Sequence, residues 1–159
     1  MKYLLDSNVL IESKNGFYAF DLCPGFWNWL RGYDEMRSIL KVKEELMEGN
    51  DDLSRWVSTD LPDNYFIEED KSIQMKFRVV SQYVFSLSAF DMSRKDVFFT
   101  GADGWLLAAA MDRNAVIVTH EKNDPACKRK ILLPVIAHAF GIKCMRITEV
   151  LRQEHVSFG

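Results

Sequence analysis

Cysteine is scarce in this 159-residue chain, with three residues at positions 23, 127 and 144. No two of them form a CxxC pair, which argues against a disulfide framework and against a cysteine-built zinc site. Free thiols in a reducing compartment are the expectation. Histidine is as sparse, and His120, His138 and His155 show neither HxxxH nor HxH spacing. Nothing matches GxGxxG or the GxxxxGKS/T phosphate loop, so nucleotide-driven functions are disfavoured. No apolar run approaches the roughly 18 residues that span a bilayer. The first residues lack the apolar stretch and cleavage site of a signal peptide. A cytoplasmic protein without membrane association is therefore expected. Excess positive charge is missing as well. A net charge of −3 disfavours nonspecific coating of nucleic acid, which needs a broad basic face. An enzyme with a local basic rim around an acidic centre remains compatible with it.

What the chain does contain is alternation of strand-like and helix-like segments. Its length suits one domain, residues 1–159, with a substantial core. Tyr3-Leu4-Leu5 reads as a short buried strand that ends in Asp6-Ser7-Asn8 and leads into a helix. Residues 12–25 read as loop. A short helix starts at Phe26 and ends near Gly32, and the apolar spacing from Glu35 to Glu48 predicts a second, stopped by Gly49-Asn50. Asp52–Val57 adds one or two helical turns, and Tyr65-Phe66-Ile67 a short strand. The longest helix is predicted from Asp70 to about Leu87, followed by irregular structure over 88–100 with Arg94-Lys95 exposed. Ala102–Arg113 reads as a helix with Asn114 as its C-terminal cap. The β-branched run Ala115–Thr119 reads as a buried strand. A basic loop over 122–130 precedes a short helix begun by Pro134 and stopped by Gly141. Ile142–Ile147 reads as the last strand, with Thr148 capping a terminal helix. Alternating strands and helices imply an α/β fold with a parallel sheet covered on both faces.

Four carboxylates stand out by context. Asp6 ends the first strand and Glu121 follows the most strand-like run. Glu45 sits within the apolar stripe of its helix, and Asp103 lies in the first turn of an otherwise apolar one. Acids aimed at a packed region need partners, and few Lys or Arg residues share those segments. Mg²⁺ or Mn²⁺ would serve all four, because these ions prefer carboxylate and water oxygens. Taken singly, Asp103 fits a helix N-terminal acid favoured by the dipole, Glu45 a surface glutamate and Glu121 part of the turn at Asn123-Asp124-Pro125.

Together these residues resemble the PIN-domain family of ribonucleases, which includes toxins of toxin–antitoxin pairs. The opening Tyr-Leu-Leu-Asp6-Ser-Asn8-Val-Leu-Ile resembles the family's first strand and its Asp–hydroxyl–polar turn. Val42-Lys-Glu-Glu45-Leu46, Ala102-Asp103-Gly-Trp-Leu-Leu-Ala-Ala-Ala and Val116-Ile-Val-Thr119-His-Glu121 are similar to its three later motifs, in the same order. Phe20–Trp27 and Thr119-His-Glu-Lys resemble one PIN-like subfamily in particular. The resemblance implies a three-layer α/β/α sandwich with a central, mainly parallel sheet. It also implies a metal-dependent endoribonuclease with Mg²⁺ or Mn²⁺ held by Asp6, Glu45, Asp103 and Glu121. Asn8 and Thr119 match supporting polar positions. Glu121 stands where Asp is commoner and reaches one methylene further, with Asp124 as a nearby substitute. A homodimer and an antitoxin partner are further expectations.

Hydrolysis of RNA by metal-bound water would need a substrate rim, for which Lys122, Lys128, Arg129 and Lys130 are the first candidates. Lys14, Arg31, Lys41 and Lys43 come next. Tyr18, Phe20, Trp27 and Trp105 are candidates for stacking on bases, although packing is the ordinary role of each. The Phe-Trp-Asn-Trp stretch at 26–29 is a candidate dimer or antitoxin surface. Two other functions compete. One is a PIN-like module that binds RNA or protein without catalysis. The other is a Rossmann-like phosphatase with Asp6 as nucleophile, against which Asn8 stands where such enzymes usually carry a second Asp.

Overall fold

Tyr3, Leu4 and Leu5 form the first strand, β1 (Tyr3–Leu5), and all three are buried. A short apolar run without polar alternation belongs in a sheet covered on both faces. In a computed structural model describing residues 1–159, β1 is the central strand of a five-stranded, all-parallel sheet. It is joined by β2 (Met36–Ile39), β3 (Phe66–Ile67), β4 (Val116–Val118) and β5 (Cys144–Met145) in the order β3-β2-β1-β4-β5. Helices cover both faces, giving a three-layer α/β/α sandwich.

Between β1 and β3 lie α1 (Ser7–Asn15), α2 (Pro24–Gly32), α3 (Leu40–Glu48) and α4 (Asp52–Thr59). Between β3 and β5 lie α5 (Lys71–Phe85), α6 (Met92–Thr100), α7 (Asp103–Arg113) and α8 (Leu133–Ala139), and α9 (Ile147–Gln153) follows β5. Parallel crossovers are almost always right-handed, which puts the first group on one face and the second on the other. The packing agrees, with α1 against α3 and α4, and α7 against α5, α6 and α8. From β1 the chain steps outward to β2 and β3, then returns to lay β4 on the other side of β1. The strand order therefore reverses between β1 and β4. In open α/β sheets that reversal opens a crevice beyond the carboxyl ends of the strands.

Several local expectations are corrected. The segment from Glu35 is not one helix, because β2 takes Met36–Ile39 before α3 begins. Met36, Ile39 and Leu40 fit a helical period, and four residues are too few to separate it from a strand. Pairing in the sheet decides: Met36 aligns with Tyr3 and Ser38 with Phe66, while the Ser38 hydroxyl donates to the Leu5 carbonyl at 2.6 Å. Residues 12–15 continue α1 rather than starting a loop. Residues 92–100 are helical, capped by Asp91, which accepts from the Arg94 amide at 3.0 Å. Lys95 is buried rather than exposed, and its ammonium donates to the Phe85 carbonyl at the end of α5 (2.9 Å). Thr148 lies within α9, whose N-cap is Arg146. Asn114 does cap α7 in the left-handed conformation (φ 52°).

The aromatic candidates for base stacking are engaged with one another. Tyr18 stacks on Phe26 (4.5 Å between centroids), Phe20 on Trp27 (4.2 Å) and Trp105 on Phe77 (3.9 Å). Phe26 and Trp27 are buried, and Trp29 stacks on Tyr33. The 26–29 stretch is thus part of the core and its edge, not a free interface, because α2 turns its wide apolar side inward.

Helices α1 and α4 are tied together through Asp51. Asp51 accepts from the Ser54 amide (3.0 Å) at the start of α4 and also holds the Lys14 ammonium of α1 (2.7 Å). The cap should outweigh the partly exposed ion pair. Asp51→Ala is expected to lower stability by about 1 kcal/mol, read as a shift in urea midpoint at unchanged slope.

Candidate active site

Asp6 follows β1 directly, its amide bonded to the Val118 carbonyl of β4 (2.9 Å), and it is only 4% exposed. Strand geometry thus delivers its carboxylate to the β1/β4 crevice. The Thr119 hydroxyl, at the end of β4, donates to Asp6 Oδ2 at 2.8 Å. Thr119 Oγ1 in turn accepts from Asn8 Nδ2 (3.3 Å) and the Glu121 amide (3.2 Å), which uses the full capacity of a hydroxyl. Asn8 Oδ1 accepts from the His120 amide (3.2 Å). Asn8 and Thr119 therefore lace the β1–α1 turn to the β4 exit.

Glu45 reaches the same end of the sheet from α3. The Ser7 hydroxyl donates to its Oε2 (2.6 Å) and the Ala102 amide to its Oε1 (2.8 Å). A Cβ on Gly101 would stand 3.0 Å from Oε1, so glycine there leaves room for this approach. Asp103 is the first residue of α7. Close packing of α7 on α5 sets its position: a Cβ on Gly104 would lie 2.9 Å from Phe77 Cε2, under the ring on which Trp105 stacks. Glu121 Oε2 accepts from the Leu133 amide at the start of α8 (3.0 Å), and the Lys130 ammonium stands 2.7 Å from Oε1.

These carboxylates act on one another. Burial pushes Asp6 up from 3.8 to about 6, helped by the charges of Glu121 and Glu45 and opposed by the Thr119 hydrogen bond. Burial raises Asp103 well above the usual carboxylate range, reinforced by Asp6, Glu121 and Glu45 and partly offset by Lys130. Burial pulls Lys130 down, but its contact with Glu121 and the charges of Asp103 and Asp6 outweigh this, and its ammonium is held more tightly than usual. Burial also pushes the neighbouring Cys144 thiol up to about 12, which disqualifies it as a nucleophile.

All four sequence-derived acids thus meet at one end of the sheet, with Lys130 as the cation in direct contact. They do not form a closed cage: no three Asp, Glu, His or Cys side chains are placed to hold one ion together. The expectation of four carboxylates around a single ion differs from this arrangement: Glu45 spends both oxygens on protein donors, and Glu121 has Oε2 on the Leu133 amide and Oε1 facing the Lys130 ammonium. Asp124 does not substitute for Glu121, since its Oδ1 accepts from the Ala126 amide within its own turn (3.1 Å). The donor chemistry still fits a hard divalent cation. Mg²⁺ is commonly held by one or two carboxylates, with waters and substrate phosphate completing its shell, and Asp6 and Asp103 provide such a pair.

The basic residues proposed for a substrate rim lie in three different places. Lys122 lines a cavity of about 240 Å³ with Thr119 and Glu121. Arg129 and Lys130 line another of about 280 Å³ with Ser93 and Arg94. Lys128 instead rests over the Phe90 ring at 6.0 Å. The second set is engaged elsewhere: Lys14 with Asp51, Arg31 with Asp60, Lys41 with Glu44 and Lys43 over Phe66. Three residues not singled out as site candidates by the sequence lie at these places: Ser7 on Glu45, Arg94 beside Arg129 and Lys130, and Arg146 beside Glu121 and Lys122. Arg146 carried a usable signal, for it follows β5 as Asp6 follows β1.

Over residues 3–158 the sequence matches the family described as Domain of unknown function (DUF4411). The chain belongs to that family. No curated protein matches it. The DUF4411 match spans all five strands and all four acids, so the crevice lies wholly within the family's domain.

The buried acids give the metal-free DUF4411 domain a defined pH response. Folded Asp6 holds its proton to about pH 6 and the unfolded chain only to 3.8, so folding takes up a proton between these values. Its protonated form contributes stability that is full below about pH 4 and is lost as pH rises toward 6. At about 1.4 kcal/mol per tenfold change in proton affinity, the displacement is worth on the order of 3 kcal/mol. Urea midpoints measured in EDTA should fall over this window in the wild type and fall less in Asp6→Asn. Parallel profiles would contradict the assignment.

Proposed function

We propose that this protein is a divalent-metal-dependent endoribonuclease that hydrolyses RNA phosphodiester bonds. The observation that supports it is the gathering of Asp6, Glu45, Asp103 and Glu121 at the β1/β4 crevice, with Asp6 and Asp103 pushed upward by burial and mutual repulsion. Such an arrangement stores unfavourable electrostatic energy that a divalent cation relieves.

Asp6 and Asp103 would hold Mg²⁺ or Mn²⁺. The ion would supply activation of water and neutralisation of charge at phosphorus. The chain's own residues do the rest. Thr119 fixes the Asp6 carboxylate by donating to Oδ2. Ser7 and the Ala102 amide hold Glu45 across from it, where its charge orients water. Lys130, on the rim beside Glu121, is within the site's field and available to a phosphate oxygen. Without a cation, Asp103 keeps a proton at neutral pH more readily than an ordinary carboxylate.

No helix is long and apolar enough to cross a membrane. An exposed apolar row along α5, formed by Met75, Val79 and Tyr83, offers the surface for the homodimer or antitoxin contact that accompanies this reading. The decisive assay is cleavage of an unstructured RNA oligomer. Products should form with Mn²⁺ and not in EDTA. Tight RNA binding without cleavage at any Mn²⁺ concentration would favour the non-catalytic module, a reading to which the hydrogen-bonded state of Glu45 and Glu121 lends support.

A further inference from the structure

The rim carries one arginine that the acids do not use. Leu5, Val118 and Met145 are aligned across β1, β4 and β5, so the next residues, Asp6, Thr119 and Arg146, form a row along the carboxyl edge. Arg146 is exposed, and no carboxylate lies within 4.0 Å of its guanidinium. The nearby Glu149 is occupied, its Oε2 accepting from the Arg146 amide at 2.7 Å. Arg146 lines the cavity beside Glu121 and Lys122, and also a second cavity of about 220 Å³ with Ser13, Phe17 and His120. The two cavities thus meet at Arg146, with Thr119, the hydrogen-bond donor to Asp6, in the lining of the first; we take the two together as one groove.

Two features of the second cavity point to a ligand. Phe17 is 95% exposed, while Tyr18 and Phe20 beside it are stacked inward. Ser13 is 3% exposed, and its buried hydroxyl has no hydrogen-bond partner. Buried polar atoms are rarely left unpaired. His120 is paired with Glu12 on the same wall, which fixes the ring and satisfies that acid. The groove thus offers a flat apolar ring, a free planar cation and an unused hydroxyl, with the cation in the same strand-end row as Asp6.

We infer that this groove, with Phe17 as platform and Arg146 as phosphate clamp, seats an unpaired nucleotide of single-stranded RNA next to the bond to be cut. The inference rests on the ribonuclease reading for the identity of the polymer. An aromatic ring accepts any base face, and Arg forks onto phosphate oxygens. Paired A-form RNA keeps its bases stacked inside the helix and out of reach of the ring.

Fluorescence anisotropy with an unstructured RNA 12-mer and a duplex of matching sequence, both in EDTA, tests this apart from cleavage. Phe17→Ala should weaken single-strand binding about 5- to 150-fold, Phe17→Trp should restore it, and duplex affinity should not change. Arg146→Ala should make the slope of log affinity against log salt shallower by about 0.7. The inference is overturned if the wild type does not bind the single strand, if Phe17→Ala binds it normally, or if that variant loses self-association at unchanged RNA affinity. Binding that depends on Phe17 and Arg146, without any Mn²⁺-dependent cleavage, would uphold this subsite and refute the ribonuclease.

Discussion

Asp6→Asn should reduce Mn²⁺-dependent RNA cleavage by about 10²- to 10⁴-fold and leave the fold intact. Asn keeps an oxygen for the Thr119 hydroxyl, so the lacing of β1 to β4 survives. What is lost is a negative charge in a place where burial and two neighbouring acids oppose it. Removing that charge relieves repulsion with Glu121 and Glu45, so stability at neutral pH should hold or rise, as at strained functional sites generally. Loss of activity together with unfolding would mean that Asp6 is structural. Full activity would exclude the acid cluster from the chemistry. A gel-based cleavage assay and a thermal melt on the same preparation separate these outcomes.

Trp27→Ala should be the most damaging change away from the acids, at about 3–5 kcal/mol. The side chain is 2% exposed, stacks on Phe20 at 4.2 Å and meets Trp56 edge-on at 4.9 Å. Its indole nitrogen donates to the Tyr18 carbonyl at 2.6 Å, which anchors the loop between α1 and α2. Truncation removes a large apolar surface, opens a cavity and leaves that carbonyl without its donor. Tryptophan fluorescence and urea denaturation should show a strongly lowered midpoint. Phe17→Ala, in the loop between α1 and α2 and 95% exposed, should leave the midpoint nearly unchanged. A loss under 1 kcal/mol for Trp27→Ala would show that the aromatic wall does not depend on it.

The contrast between Trp27 and Phe17 also shows where the sequence is legible. Residue type and apolar period reveal the parallel α/β architecture, because buried runs such as Tyr3–Leu5 and Val116–Val118 carry a pattern of their own. The same period misassigns Met36–Ile39, since a four-residue strand is fixed by its neighbours Tyr3 and Phe66 rather than by its own spacing. The helix over 92–100 has a weak apolar pattern, and its only clear signal is Asp91 as cap. At the site, Asp6 and Glu121 are visible because an acid ending a buried run is costly without a purpose. Their local bonding is not visible: that Glu45 bridges Ser7 and Ala102 depends on crossings between segments distant in sequence, and that Lys130 closes on Glu121 depends on the path of the loop between them. Among aromatics, composition cannot separate Trp27, which packs, from Phe17, which does not.

Binding of Mn²⁺ itself bears most directly on the acid cluster. Titration of the EDTA-treated protein, followed by the paramagnetic signal of free Mn²⁺, should show saturable uptake at neutral pH by the wild type. Asp6→Asn and Asp103→Asn should each take up far less. Equal uptake by wild type and both variants, or none by any of them with RNA present, would contradict the account.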